Sequence, residues 1–184
     1  MPRTETFGAF FMLKFVNMNT SQTNGIISLN DSIVEVEGWG DAHYQNQFND
    51  LLEQQPFIMG SLMDSDEGLE ESTHSWVLKA VLVLKWSFQK MGWRMTTLPE
   101  EKWHAIIEEK DKVYDECLKD TDVLPVGEIV KHNSSPLTLS ELYLYVVDNT
   151  PNDELSKAHV LFLLDCALEA MEAAVLQDKK ELDT

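Results

Sequence analysis

The chain has 184 residues, 43% of them hydrophobic, with five Trp and eight Phe to fill a single core. Its 14 basic and 32 acidic residues leave a net charge of −18. That charge repels phosphate backbones and anionic membrane surfaces, so neither direct nucleic-acid binding nor membrane binding is expected.

The same charge favours a protein partner with a basic surface, although a salt-rich environment also accounts for surplus surface carboxylates. A DNA mimic would gather its acids along one face, whereas here they are spread over loops and several helices. Cys117 and Cys166 are the only cysteines and both fall at apolar helical positions. No disulfide framework follows, and a reducing, cytoplasmic compartment is the expectation.

The N-terminal stretch contains the apolar run "FGAFFMLKFV". It is too short for a membrane span, and the residues before it make a poor signal peptide. Residues 1–23 are expected to be a disordered or extended leader, with strand character over 7–16. Residues 24–38 read as a β-hairpin: Ile33 to Glu37 partly alternate, Asn30-Asp31 suits a turn, and Gly38 and Gly40 end it.

Residues 39–184 then read as a helical bundle, so the whole chain is one mainly α domain of about five helices after a small β element. The first helix runs from Asp41 to about Gln55 and is stopped by Pro56. The loop "MDSDEGLEES" opens like a calcium loop at Asp64-Ser-Asp66. It lacks the Gly and Glu that an EF-hand needs at positions six and twelve, where Leu69 and Ser75 stand. An acidic surface loop is the better reading.

Residues 73–91 are apolar nearly all round and predict a central buried helix, with Gly92 at its C′ position. Thr97-Leu-Pro-Glu100 forms a capping box that opens a helix to about Lys119. A short extended piece is expected at 126–130. A second box, Thr138 to Glu141, starts a helix to about Asp148, and Thr150 to Asp153 start a last one to about Asp178. The two apolar helices need cover, which makes a homodimer an expectation.

The chemistry-bearing pattern lies in "EEKWHAIIEEKDKVYDE", residues 100–116. Glu101 and His104 form E-x-x-H, the helical spacing that offers a carboxylate and an imidazole to one metal. Glu71 and His74 repeat it at the start of the core helix, and Asp165 and Glu169 could add carboxylates from the last helix. These six residues are the candidate ligands for a divalent transition metal.

The simpler reading makes Glu101, His104, Glu108, Asp111 and Asp115 a solvated flank beside the apolar face of Trp103, Ile106, Ile107, Val113, Tyr114, Cys117 and Leu118. The ferritin-like order of motifs is absent, and a three-residue spacing recurs easily by chance. Lys79 and Lys90 fall on one line of the core helix, and Asp165, Glu169 and Glu172 on one line of the last. Buried charges need partners, so these two stripes are expected to meet or to reach water.

No nucleophile elbow, phosphate-cradling glycine loop or CxxC is present, and His43, His132 and His159 stand alone. The expectation is therefore a non-enzymatic protein–protein interaction or regulatory module with no catalytic residues and no cofactor. A metal-binding bundle is the alternative.

Overall fold

In a computed structural model the protein is described over residues 29–64, 69–119, 125–150 and 154–182, with side chains of the last helix over 156–175. Among the described residues there are eight α-helices, one 3-10 turn and no strand. The helices are α1 (Leu29–Glu37), α2 (Asp41–Gln54), α3 (Pro56–Asp64), α4 (Glu71–Lys90), α5 (Glu100–Leu118), α6 (Val126–Ile129), α7 (Pro136–Val147) and α8 (Glu154–Leu182). The 3-10 turn, Val130–His132, separates α6 from α7. The expected leader 1–23 and the strand at 7–16 lie outside the described residues, as do residues 65–68 of the acidic loop.

The hairpin is corrected to a helix over its described part. Leu29, Ser32 and Val36 are buried at spacings of three and four, which puts them on one helical face. Asp31 sits in the first turn, where its charge suits the helix dipole, and Gly38 ends the helix. Val34 is 70% exposed, on the opposite side.

Pro56 ends α2 as expected, but it also opens α3, the N1 position where a missing N–H costs nothing. The same principle corrects the second capping box: α7 begins at Pro136, a residue pair ahead of Thr138. The first box is also displaced. Helix α5 starts at Glu100 with Pro99 as its N-cap and no side-chain cap. Its strand-like approach is pinned instead by Gln55, whose Oε1 accepts from the Leu98 N–H at 3.1 Å while its Nε2 donates to the Thr96 carbonyl at 2.8 Å. The extended piece at 126–130 is likewise helical, with Ile129 and Val130 buried.

Helix α8 is the hub, packing against α4, α5 and α7. Its buried face carries Leu161, Leu164, Leu168 and Met171, interleaved with Ala167, Ala170 and Ala174, which let neighbouring helices approach closely. Helix α4 is the second core element, burying Val77, Val81, Leu84 and Phe88, and α1 lies along it. It ends at Gly92 with φ of 72°, the left-handed cap read from the sequence.

The bundle supplies cover for both apolar helices within one chain. Among the described residues the exposed large hydrophobics are Val34, Phe57, Met63, Leu137 and Leu144, none of them on α4 or α8. No helix among the described residues is long and apolar enough to cross a membrane.

Candidate functional site

A concentrated polar site is built where α5 crosses α8. On α5, Trp103, Lys110 and Tyr114 are buried, so a lysine occupies the middle of the apolar face. On α8, Asp165, Glu169 and Glu172 stand at spacings of four and three, one line facing α5 and the 133–135 bend. Lys110 Nζ reaches Asp165 Oδ1 at 2.9 Å and also pairs with Glu169 Oε2. Lys110 is 3% exposed, Asp165 0% and Glu169 30%, so the cluster reaches solvent only through Glu169.

The bend between the 3-10 turn and α7 closes the site. Asn133 is buried, and its Nδ2 donates to Asp165 Oδ1 at 2.7 Å. Its Oδ1 accepts from the Ser135 N–H at 2.7 Å, fixing the amide. Ser134 and Ser135 hydroxyls both donate to the Glu172 carboxylate, Ser134 at 2.6 Å. Ser135 precedes α7, and its side chain serves this tether rather than capping the helix.

Three buried polar side-chain atoms are left without a hydrogen bond among the described residues: Asp165 Oδ2 and the Tyr114 hydroxyl in this site, and the Ser32 hydroxyl on α1. Burial pushes the Tyr114 phenol well above its ordinary value, and the Asp165 carboxylate pushes the same way. Burial also raises Asp165, and the Lys110 charge and the Asn133 hydrogen bond offset only part of this. For Lys110, burial acts downward, but the Glu169 hydrogen bond and the Asp165 charge outweigh it and hold the ammonium above its usual range. Two carboxylates thus share one cation, and burial opposes the charge on Asp165.

This placement answers the metal expectation. Asp165 and Glu169 do come together, but they hold Lys110. Glu71, Glu101 and His104 are exposed. His74 Nε2 is bound to the Leu62 carbonyl at 2.6 Å. Helix α5 packs chiefly against α8, and α4 against α1 and α8, rather than the two pairing as antiparallel neighbours, which separates the two E-x-x-H segments. Among the described residues no three His, Cys, Asp or Glu side chains are grouped so as to hold a metal.

Of the two outcomes expected for the α4 lysines and the α8 acids, meeting or reaching water, the structure shows no meeting: Lys79, Lys90, Glu169 and Glu172 are all partly exposed. Lys79 lies over the Trp76 ring, 4.1 Å from its centroid. Lys90 pairs with Glu35 at 2.6 Å, and the other oxygen of Glu35 accepts from Trp86 Nε1 at 2.6 Å. The buried lysine of α4 is Lys85, whose Nζ donates to the Gln47 carbonyl and side-chain oxygen at 3.0 and 3.2 Å. The thiols offer no activated nucleophile: burial pushes both Cys117 and Cys166 upward, which keeps them protonated.

The outer face of α5 differs from this closed interior. Glu100, Glu101, Glu108, Glu109, Asp111, Asp115 and Glu116 are all exposed, as is His104. Lys112 stands four residues after Glu108, at the spacing of a helical ion pair. Among the described residues none of these seven carboxylates makes an ion pair.

The fold and its site define an all-α bundle locked by a buried lysine–carboxylate cluster, with an unpaired acidic helix on its outside. Comparison with known proteins finds no matching family, no matching curated protein and no matching solved structure.

Proposed function

We propose that the chain is a non-enzymatic interaction module that docks a basic protein surface on the outer face of α5. The observation that carries this reading is the set of seven exposed α5 carboxylates left without an ion pair among the described residues. Charges already paired within a monomer must be unpaired before they can meet a partner; these need no such step. Complementary charge at an exposed rim speeds encounter and selects partners, more than it adds affinity. The buried cluster supports the reading from behind, because Lys110 and Tyr114 fix the inner side of the same helix against α8.

The test is chemical-shift mapping with a Lys/Arg-rich peptide as probe. Perturbations concentrated at Glu101, His104, Glu108, Asp111 and Asp115 are expected. Equal perturbation over every acidic surface of the bundle would leave only the net charge at work.

A further inference from the structure

A cleft of about 490 Å³ opens at the end of α4, lined by Gln54, Gln89, Gly92, Trp93, Arg94 and Met95. We propose that it binds a small aromatic monocarboxylate, with Arg94 taking the carboxylate and Trp93 and Met95 supporting the apolar part. The volume falls in the range of small-molecule sites, and the lining combines the apolar side chains of Trp93 and Met95 with the polar groups of Gln54, Gln89 and Arg94.

The walls are held in place from three directions. The α4 terminus is closed by the Gly92 N–H on the Gln89 carbonyl at 2.9 Å and the Trp93 N–H on the Phe88 carbonyl at 3.0 Å. The Trp93 ring rests on Phe88, centroids 5.3 Å apart. Beyond Met95 the backbone is fixed by Gln55 through Thr96 and Leu98, and by the Thr96 hydroxyl on the Ala174 carbonyl at 3.1 Å. Gly92 leaves the rim bare, since nothing lies within 4 Å of where a Cβ would stand.

Arg94 decides the ligand's charge. The chain has 32 acidic residues, yet this exposed arginine pairs with none among the described residues. A guanidinium presents two parallel N–H groups that match a carboxylate, so an unpaired one at a cleft rim is a prepared carboxylate receptor. A net charge of −18 opposes a dianion more than a monoanion, which favours carboxylate over phosphate. The Gln54 and Gln89 amides can each donate to or accept from a polar substituent.

The experiment titrates the full chain with phenylacetate, its neutral isostere phenylacetamide, and phenyl phosphate, following the Trp93 indole N–H and the Gln54 and Gln89 side-chain amides by NMR. Saturable binding of phenylacetate in the millimolar range is expected, at least about 10-fold tighter than phenylacetamide. Arg94→Gln should lose that margin while its thermal unfolding stays at the wild-type value, because the side chain is exposed. Trp93→Phe should retain binding with weaker affinity. Absence of saturation at the Trp93 indole up to about 20 mM overturns the proposal. So does phenylacetamide binding as tightly as phenylacetate, phenyl phosphate binding more tightly, or unchanged affinity in Arg94→Gln.

Discussion

Lys110 Nζ lies 2.9 Å from Asp165 Oδ1, and neither side chain is more than 3% exposed. A buried pair of this kind is costly to desolvate and more costly to break, because removing one partner strands the other's charge. Lys110→Met should therefore destabilise the fold by about 3–5 kcal/mol in urea unfolding. Lys110→Met combined with Asp165→Leu should recover most of that loss, since no buried charge is then left alone. If the double variant were as unstable as the single one, the shape of the site rather than its charge would be what matters.

Lys85 gives the opposite expectation. Burial lowers its pKa, the charge of Asp50 offsets this only in part, and no carboxylate lies within ion-pair distance among the described residues. Lys85→Met keeps the buried stem and removes the charge, so stability should change by less than about 1 kcal/mol or rise. Lys85→Ala leaves a cavity and should cost about 2–4 kcal/mol. A large loss in Lys85→Met would show that the bonds to Gln47 dominate.

The pH dependence on the acid side should carry a histidine signature. Burial, with the neighbouring His74, lowers the pKa of His159 below its usual 6.5. The unfolded chain then takes up this proton first, so it binds more protons than the fold in the window below pH 6.5. Stability from this group is complete above that value and falls as pH drops through the window. His159→Gln should flatten the decline in unfolding free energy as pH falls below about 6.5. An unchanged slope would place the acid sensitivity elsewhere, first at the carboxylates.

Helix α1 is fastened to α4 by Glu35, which bridges Trp86 Nε1 and Lys90 Nζ, with Trp39 stacked edge-on to Trp86 at 5.2 Å. The hydrogen bonds from Lys90 and Trp86, helped by the Lys90 charge, hold the Glu35 carboxyl below its ordinary range. Its contribution is present above the usual carboxylate value and is lost as pH falls through the lowered one. Glu35→Gln should speed amide exchange in α1 while leaving α4 protected, which hydrogen exchange reads directly. Equal exchange in both helices would mean that α1 opens only with the whole bundle.

Much of the fold was legible in the sequence because its long helices carry strong periodicity or clear stops. Helices α4 and α5 and the Gly92 cap follow from apolar spacing and glycine placement. Helix α1 was not legible as a helix, since Ile33, Val34 and Val36 satisfy a two-residue alternation as well as a helical face; burial of Leu29 and Ser32 resolves the ambiguity. Helix α3 was hidden because a proline stops one helix and starts the next with the same ring.

The polar site was half legible. Asp165 and Glu169 on an otherwise apolar helix signalled a buried partner, but that partner was sought on α4, the other apolar helix. Lys110 carried its own signal: on a helical wheel it falls within about 20° of Trp103, at the centre of the α5 apolar face. A charge in that position asks for a countercharge across the interface. Asn133 and the two serines carried no comparable mark, because their role depends on how a short bend meets α8.

The docking role of α5 is tested most directly by two charge-matched variants. One neutralises Glu101, Glu108, Asp111 and Asp115 to their amides; the other does the same to four exposed acids elsewhere, Asp41, Glu53, Glu70 and Asp148. Calorimetric titration of each with a Lys/Arg-rich peptide at low salt separates position from total charge, because each variant loses four negative charges. A loss of about 10-fold or more in the α5 variant, against less than about 3-fold in the control, is the expected result. Equal losses in the two would contradict a docking face on α5 and leave the acidity as a property of the whole surface.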